Sequence, residues 1–317
     1  MKIRNQYLLL IISFGLLALA VLGSVTIGPV PVSLSQFTGG GTGSQIIFDI
    51  RLPRAIAAAF AGAGLAAAGT ALQALFRNDL ADPYILGTSS GGAVGASLMM
   101  ALGLMALIPA AAFVGAITAV FLVYLLASRD GRISTSVLLL TGIAVSTFFS
   151  AVVSVFMVFA GTNMHQIVFW LMGGLWNTSW NDIPLLSLIF VPVILLILYS
   201  RDLNIITCGD SETQTLGIDP HRTKLLLLGA AAGITGIIVS VTGSIGFIGL
   251  VSPHLTRLIT GPNHAILIPG SLCCGAFLLL IADTISRTWL GELPVGVVTA
   301  FFGAPFFLFL IRRREEL

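Results

Sequence analysis

The stretch that most restricts how this chain can fold begins at Arg51-Leu-Pro-Arg54, passes through the small-residue run Gly62-Ala-Gly64-Leu-Ala-Ala-Ala-Gly69, and ends at Gln73 and Arg77-Asn-Asp-Leu-Ala-Asp-Pro83. Roughly 20 apolar residues suffice to cross a bilayer as a helix, so charges stand at both ends of one membrane span. The glycines and alanines between them suit close contact with other helices. The rest of the chain is of the same kind: 317 residues, 56% hydrophobic and 9% charged, with mean hydropathy +1.03. A soluble domain carries about a quarter of its residues as charges. The reading is an all-α polytopic membrane protein, one transmembrane domain over residues 1–317.

Windows of about 19 residues predict spans near 7–27, 52–73, 85–103, 105–127, 135–160, 183–199, 224–243, 246–258, 267–286 and 295–311, about ten in all. The stretch 246–258 is short and holds Pro253 and His254. It is expected to be a half-length helix enclosed by others, because irregular backbone at membrane depth persists only inside protein. Residues 165–175 are expected to form a short lip helix. Lys2 and Arg4 ahead of an apolar run resemble a secretory signal, but the run to Val25 is long for one and the cleavage site is weak. An uncleaved first span is expected.

Sorting Lys and Arg by side gives one set with Lys2, Arg4, Arg77, Arg129, Arg132, Arg201, Arg222, Lys224, Arg257 and Arg312 to Arg314, and another with only Arg51, Arg54 and Arg287. The first set marks the cytoplasmic side, which puts both termini there. The three outer arginines, at helix ends beside otherwise uncharged loops, are candidates for docking an acidic partner. Local pairing is the alternative, Arg51 with Asp49 and Arg287 with Asp283 one helical turn earlier.

The cysteines, Cys208, Cys273 and Cys274, lack C-x-x-C spacing, and no His-Glu-x-x-His helix appears, so no metal site is expected. Gly87-Thr-Ser89-Ser-Gly91 matches the nucleophile pattern G-x-S-x-G, and with His165 or His254 it raises an intramembrane serine protease. Small residues opening a helix account for it more simply. Ionisable residues deep in lipid mark ion pathways, and here Asp283, Arg257 and His254 all lie near span ends. A carrier coupled to ions would want more, so the energy for transport has to come from a partner. The cytoplasmic connection from Arg201 to Lys224 reads as that partner's socket, or as a plain solvated loop. It carries Asp202, Asp210, Glu212 and Asp219, then Gln214-Thr-Leu-Gly217-Ile, and Gly217 is placed to cap a short helix.

Several linked motifs resemble the FecCD family of ABC-importer permeases, which includes cobalamin, haem and ferric-siderophore transporters. They are Arg51 to Arg54, Gln73 to Asn78 with Leu80-Ala-Asp-Pro83, Leu86 to Gly91, Phe169 to Gly174, Ile245 to Arg257, and Glu292-Leu-Pro-Val-Gly296 through Gly303 to Phe306. Gly92 after Gly91, and Asp79 where the family often has proline, depart from it locally. The resemblance implies the type II ABC importer permease fold with ten helices per subunit, in a homodimer or close heterodimer, and an ATPase under each half. It implies that Arg51, Arg54 and Arg287 meet carboxylates on an extracytoplasmic binding protein. It also implies that Glu212, Thr213, Gln214, Leu216, Gly217 and Ile218 form the helix seated in the ATPase. No cofactor or catalytic residue is expected on this chain, ATP and Mg being used by the partner, and no nucleic-acid partner is expected.

A bulky cargo needs a roomy, weakly polar path, for which Ser146, Thr147 and Ser150 on one helical face are candidates; ordinary interhelical hydrogen bonding is the alternative. By family frequency an iron chelate, siderophore or haem, stands ahead of cobalamin. Two rivals remain. An ion-coupled secondary transporter would take up solute without an ATPase, and a protease would lose cleavage with Ser89→Ala.

Overall fold

The computed structural model describes residues 3–30, 41–129 and 132–314; Lys2 of the inner charge set lies outside them. The architecture is built around one helix. A short α2 (Thr42–Gln45) runs through a π-helical turn, Ile46–Arg51, into α3 (Leu52–Phe76). Pro53 suits this entry, since the first turn of a helix needs no proline N–H. The 25 residues of α3 rise about 37 Å, and nearly every side chain on it is buried. α1 (Ile3–Thr26) lies at the periphery, exposing Leu8, Ile11, Phe14, Leu19 and Leu22 as a lipid-facing helix must.

α4 (Thr88–Ala101), α5 (Ile108–Ala127) and α6 (Thr135–Phe159) follow, with a two-residue hairpin, Ser128–Arg129 against Arg132–Ile133, joining the last two. α7 (Met164–Met172) is the expected lip helix. The sixth predicted stretch is broken: α8 (Ile183–Ser187) and α9 (Phe190–Leu198) meet α10 (Ser200–Ile206) at a 59° bend. After the short α11 (Asp210–Thr215) come α12 (Pro220–Thr242), α13 (Ile248–Thr260), α14 (His264–Trp289) and α15 (Val295–Arg314). α12, α13 and α14 wrap α3, while α4, α5 and α6 form a second bundle joined to it through α12.

Every predicted span meets a helix, but among the described residues only six are long and apolar enough to cross alone, and the bent α8 to α10 adds a seventh. α4 and α13 fall short because both begin inside the protein. Gly87 (φ +79) precedes α4 and Phe247 (φ +69) precedes α13. The Tyr84 hydroxyl donates to the Ile245 carbonyl at 3.1 Å and accepts from the Ile245 N–H at 3.0 Å, and the Ser89 hydroxyl donates to Ser244 at 2.8 Å. Protein groups thus satisfy the polar backbone that lipid could not.

Two glycine contacts set how closely the neighbours approach α3. A Cβ on Gly62 would overlap the Gly275 carbonyl of α14, and one on Gly69 would overlap the Gly249 carbonyl of α13. Backbone meets backbone there, as small residues allow between membrane helices.

Candidate functional site

The N-terminal end of α3, the outer one in the sequence reading, is a buried charge cluster. Arg51, Arg54 and Arg287 are only 4%, 6% and 4% exposed, and Asp283 is fully buried. Arg54 Nε donates to Asp283 Oδ1 at 2.9 Å, while Arg287 Nε lies 3.8 Å from Asp283 Oδ2, one turn away on α14. Neither Arg287 Nε nor Asp283 Oδ2 makes a hydrogen bond among the described residues. The expected alternative of Arg51 pairing with Asp49 gives way to something else. Arg51 donates to the carbonyls of Val25, Thr26 and Val30, and Arg287 donates to the carbonyl and hydroxyl of Ser24. Both arginines therefore cap the C-terminal end of α1, whose carbonyls lack helical partners and carry partial negative charge. The outer loop is not free of charge, as the sequence reading had it. Glu292 stands in it, with Oε1 3.8 Å from Arg54 Nη1.

The C-terminal end of α3, the inner one in the sequence reading, is built differently. α3 ends in a left-handed residue, and that residue is Arg77 (φ +50) where glycine is usual. Its side chain donates to the Ile206 carbonyl at 2.9 Å and to Asp210 Oδ1 at 2.5 Å, and Lys224 Nζ reaches Asp210 Oδ2 at 2.6 Å. Asp210 opens α11, so one carboxylate ties α11 to the ends of α3 and α12. Partial burial pushes its carboxyl up, but hydrogen bonds and charge from Lys224 and Arg77 outweigh that and hold it below the usual range. The Glu212 carboxyl is lowered too, first by its own backbone N–H and then by the Ser211 hydroxyl.

α11 presents the residues expected of a partner-facing helix. Glu212, Gln214 and Leu216 are exposed, Leu216 at 63%, while Thr213 is buried and donates to the Gly209 carbonyl. Gly217 (φ +80) ends the helix as predicted. Its N–H donates to Gln214 O and the N–H of Ile218 to Thr213 O, the paired bonds of a Schellman cap. A second inner network, missed from the sequence, links Gln73, Arg257 and Asp79. Arg257 Nη1 sits 2.7 Å from Asp79 Oδ1, Arg257 Nη2 donates to Gln73 Oε1 at 3.0 Å, and Gln73 Nε2 donates to Leu250 O at 3.2 Å. Part of the signal was present, since Gln73 and Arg257 stand in the family motifs, whereas Asp79 stands where the chain departs from the family.

On α6, Thr147 and Ser150 are exposed with Ser154 on the same face, each hydroxyl donating at 2.9 Å to the carbonyl four residues back. Ser146 is half-buried, 3.3 Å from the hydroxyl of Ser90 on α4. Ser89, the residue of the nucleophile pattern, has Ser244 as its partner. His165 helps line a cavity of about 570 Å³ with Trp170, Asn177 and Asp182.

Comparison with known proteins agrees with this architecture. The sequence profile of the FecCD transport family matches residues 10–313. The cobalamin import system permease of Halobacterium salinarum is 44% identical over 283 residues, covering 88% of this chain and 77% of that protein. The hemin transport system permease of Yersinia pestis is 39% identical over 315 residues, 95% of this chain and 94% of that one. A solved structure described as an inward-facing metal-chelate type ABC transporter superposes with a TM-score of 0.87 at 32% identity, over 96% of this chain and 99% of that one.

Proposed function

Because the chain belongs to the FecCD transport family and is a multi-pass permease of an ABC importer, we propose that it carries a cobalamin-type corrinoid from an extracytoplasmic binding protein to the cytoplasm. The observation behind that cargo is the 44% identity to a cobalamin permease. An iron chelate, which family frequency puts first, is the second reading, supported by the 39% identity to a hemin permease. ATP-dependent uptake into vesicles, with labelled cobalamin competing against haem and a ferric siderophore, tests the order. Uptake of haem or the siderophore alone would reverse it.

The working unit we propose has two copies of this chain, an ATPase under each, and both termini in the cytoplasm. ATP and its Mg stay on the partner, and this chain performs no covalent chemistry. The cargo path runs between the two copies along the α6 face of Ser146, Thr147 and Ser150. Their hydroxyls are already bonded within the protein, which makes a wall that a large chelate can slide past. On the inner side, Glu212, Gln214 and Leu216 meet the ATPase, while Thr213, Gly217 and Ile218 hold the shape of α11. ATP-driven motion reaches α3 and α12 through Asp210. Copurification of an ATPase at one copy per permease, in a complex holding two permeases, is the expected assembly. A lone chain under conditions that keep other membrane complexes intact would favour the secondary transporter.

On the outer side, an acidic group of the binding protein docks at Arg54. Arg51 and Arg287 act from behind, fixing the end of α1 beside it. Charge at such a contact steers association and sets register more than it adds affinity.

A further inference from the structure

We propose that Glu292 is a built-in occupant of the carboxylate site at Arg54, and that an acidic side chain of the docking protein works by displacing it. The inference rests on the docking reading above. Around the outer end of α3 stand three guanidinium groups and two carboxylates, Asp283 and Glu292. Arg51 through Nη1 and Nη2, and Arg287 through Nη2, donate to groups at the α1 end, and Asp283 takes Arg54 Nε. Arg54 Nη1 is left facing Glu292 at 3.8 Å, beyond hydrogen-bond distance. The Arg54 side chain is 8% exposed and that of Glu292 is 57% exposed, so the acid lies over the base as a loose cover.

The backbone holds it there. Gly291 (φ +61) and Glu292 (φ +63) are consecutive left-handed residues, a conformation a glutamate rarely adopts. The turn is fastened by the Glu292 N–H donating to Ser286 O at 3.1 Å and by the Ser286 hydroxyl donating to Leu293 O. A glycine would make the same turn without strain, so the carboxylate needs a reason of its own, and Arg54 supplies one. A guanidinium binds a carboxylate best through two parallel N–H···O bonds. A partner's glutamate that offers such a fit outcompetes a contact at 3.8 Å. The displaced segment leads straight into α15, where the Gly296 N–H donates to Gly173 O at the end of α7 at 3.1 Å. Docking outside is thereby connected to the helix beside the cavity that His165 lines.

The test uses the full chain in lipid nanodiscs at low ionic strength, with fluorescein-labelled hexaglutamate as the probe and hexaglutamine as its uncharged control. Glu292→Gln and Glu292→Gly are each expected to tighten hexaglutamate binding on the order of tenfold, with hexaglutamine unaffected. Because both variants remove the charge and only the second relieves the backbone, equal effects assign the change to the carboxylate. Unchanged binding in both, while Arg54→Gln weakens it, overturns the occupant and leaves docking at Arg54 standing. Binding that survives Arg54→Gln in the wild-type and Glu292→Gln backgrounds, or binding in none of these proteins, overturns the docking reading as well. Should Arg54→Gln fail to fold, Arg54→Lys replaces it, keeping the charge and losing the fork.

Discussion

The two ends of α3 carry the same kind of residue in opposite surroundings. At the outer end, Arg54 meets a fully buried Asp283 and the neighbouring arginines are at most 6% exposed. At the inner end, Arg77 meets Asp210 with side chains 41% and 52% exposed. Taking a charge out of water is so unfavourable that a buried ion without its partner is worse than no ion at all, whereas an exposed pair contributes about 0–1 kcal/mol. The outer cluster is therefore tied to the fold, and the inner one is free to serve the coupling proposed for it. A coupling element has to shift without unfolding the helix it pulls.

The largest expected effect breaks the outer end. Asp283→Ala leaves Arg54 and Arg287 buried around a missing carboxylate, at a cost of about 3–5 kcal/mol, against a typical total of about 5–15 kcal/mol for a folded domain. Thermal unfolding in detergent should show a large drop or no recoverable folded protein. A stable Asp283→Ala protein would remove the contrast between the two ends.

Between the ends, Gly69→Ala tests whether α3 is as fixed as its burial implies. The new methyl would overlap the Gly249 carbonyl, and forcing apart well-packed groups typically costs about 1–3 kcal/mol. Unfolding should shift clearly but by less than for Asp283→Ala. An unchanged transition would mean that α13 moves away from α3 freely.

Hydropathy made the spans legible because lipid tolerates so few charges that the gaps between apolar runs stand out. It also placed the starts of α4 and α13 within three residues, at 85 and 246 against Thr88 and Ile248, but it could not show what stops those helices inside the protein, the left-handed Gly87 and Phe247. Partner choice at the outer cluster was only half legible. Arg287 and Asp283 share a face at i, i+4, and that spacing can be read directly. Arg51 and Asp49, two residues apart, do not face each other, and the carbonyls that Arg51 does reach lie 21 to 26 residues earlier, at the end of α1 and just beyond it. At the inner end, Gly217 announced its cap by being glycine. Arg77 concealed an equivalent turn, because an arginine at positive φ is held by Ile206 and Asp210, contacts that local sequence does not contain.

Asp210→Asn sharpens the inner end by separating stability from transport. Asp210 and Arg77 are exposed and only Lys224 is largely covered, so unfolding should move by about 1 kcal/mol. ATP-driven uptake should nevertheless fall severalfold while the ATPase stays bound, because α11 is no longer tied to α3 and α12. The folded carboxyl is held below its unfolded value, so its contribution is complete above the ordinary carboxylate range and is lost as pH falls through the lowered value. The difference in unfolding between wild type and Asp210→Asn should therefore persist from neutral pH down to that acidic limit and vanish below it, and a loss near neutrality would point to another group. Uptake unchanged in Asp210→Asn would take coupling away from this carboxylate.

The smallest expected effect comes from Arg222, whose Nε lies 3.2 Å from Asp219 Oδ2 with the arginine side chain 87% exposed. Asp219 also accepts from the His221 and Arg222 N–H groups at the start of α12, and a capping role of this kind contributes about 1 kcal/mol by itself. Arg222→Ala keeps the cap and removes only the surface pair, so unfolding should stay within about 0.5 kcal/mol of wild type. A larger loss would mean that charges on this side act as a connected network, with Arg77, Asp210, Lys224 and Asp219 sharing one field. The difference between the two ends of α3 would then come from how many charges cooperate, with burial the lesser cause. A double variant with Asp210→Asn decides between them: additive losses keep the pairs independent, and a combined loss that departs from the sum by more than about 0.5 kcal/mol joins them.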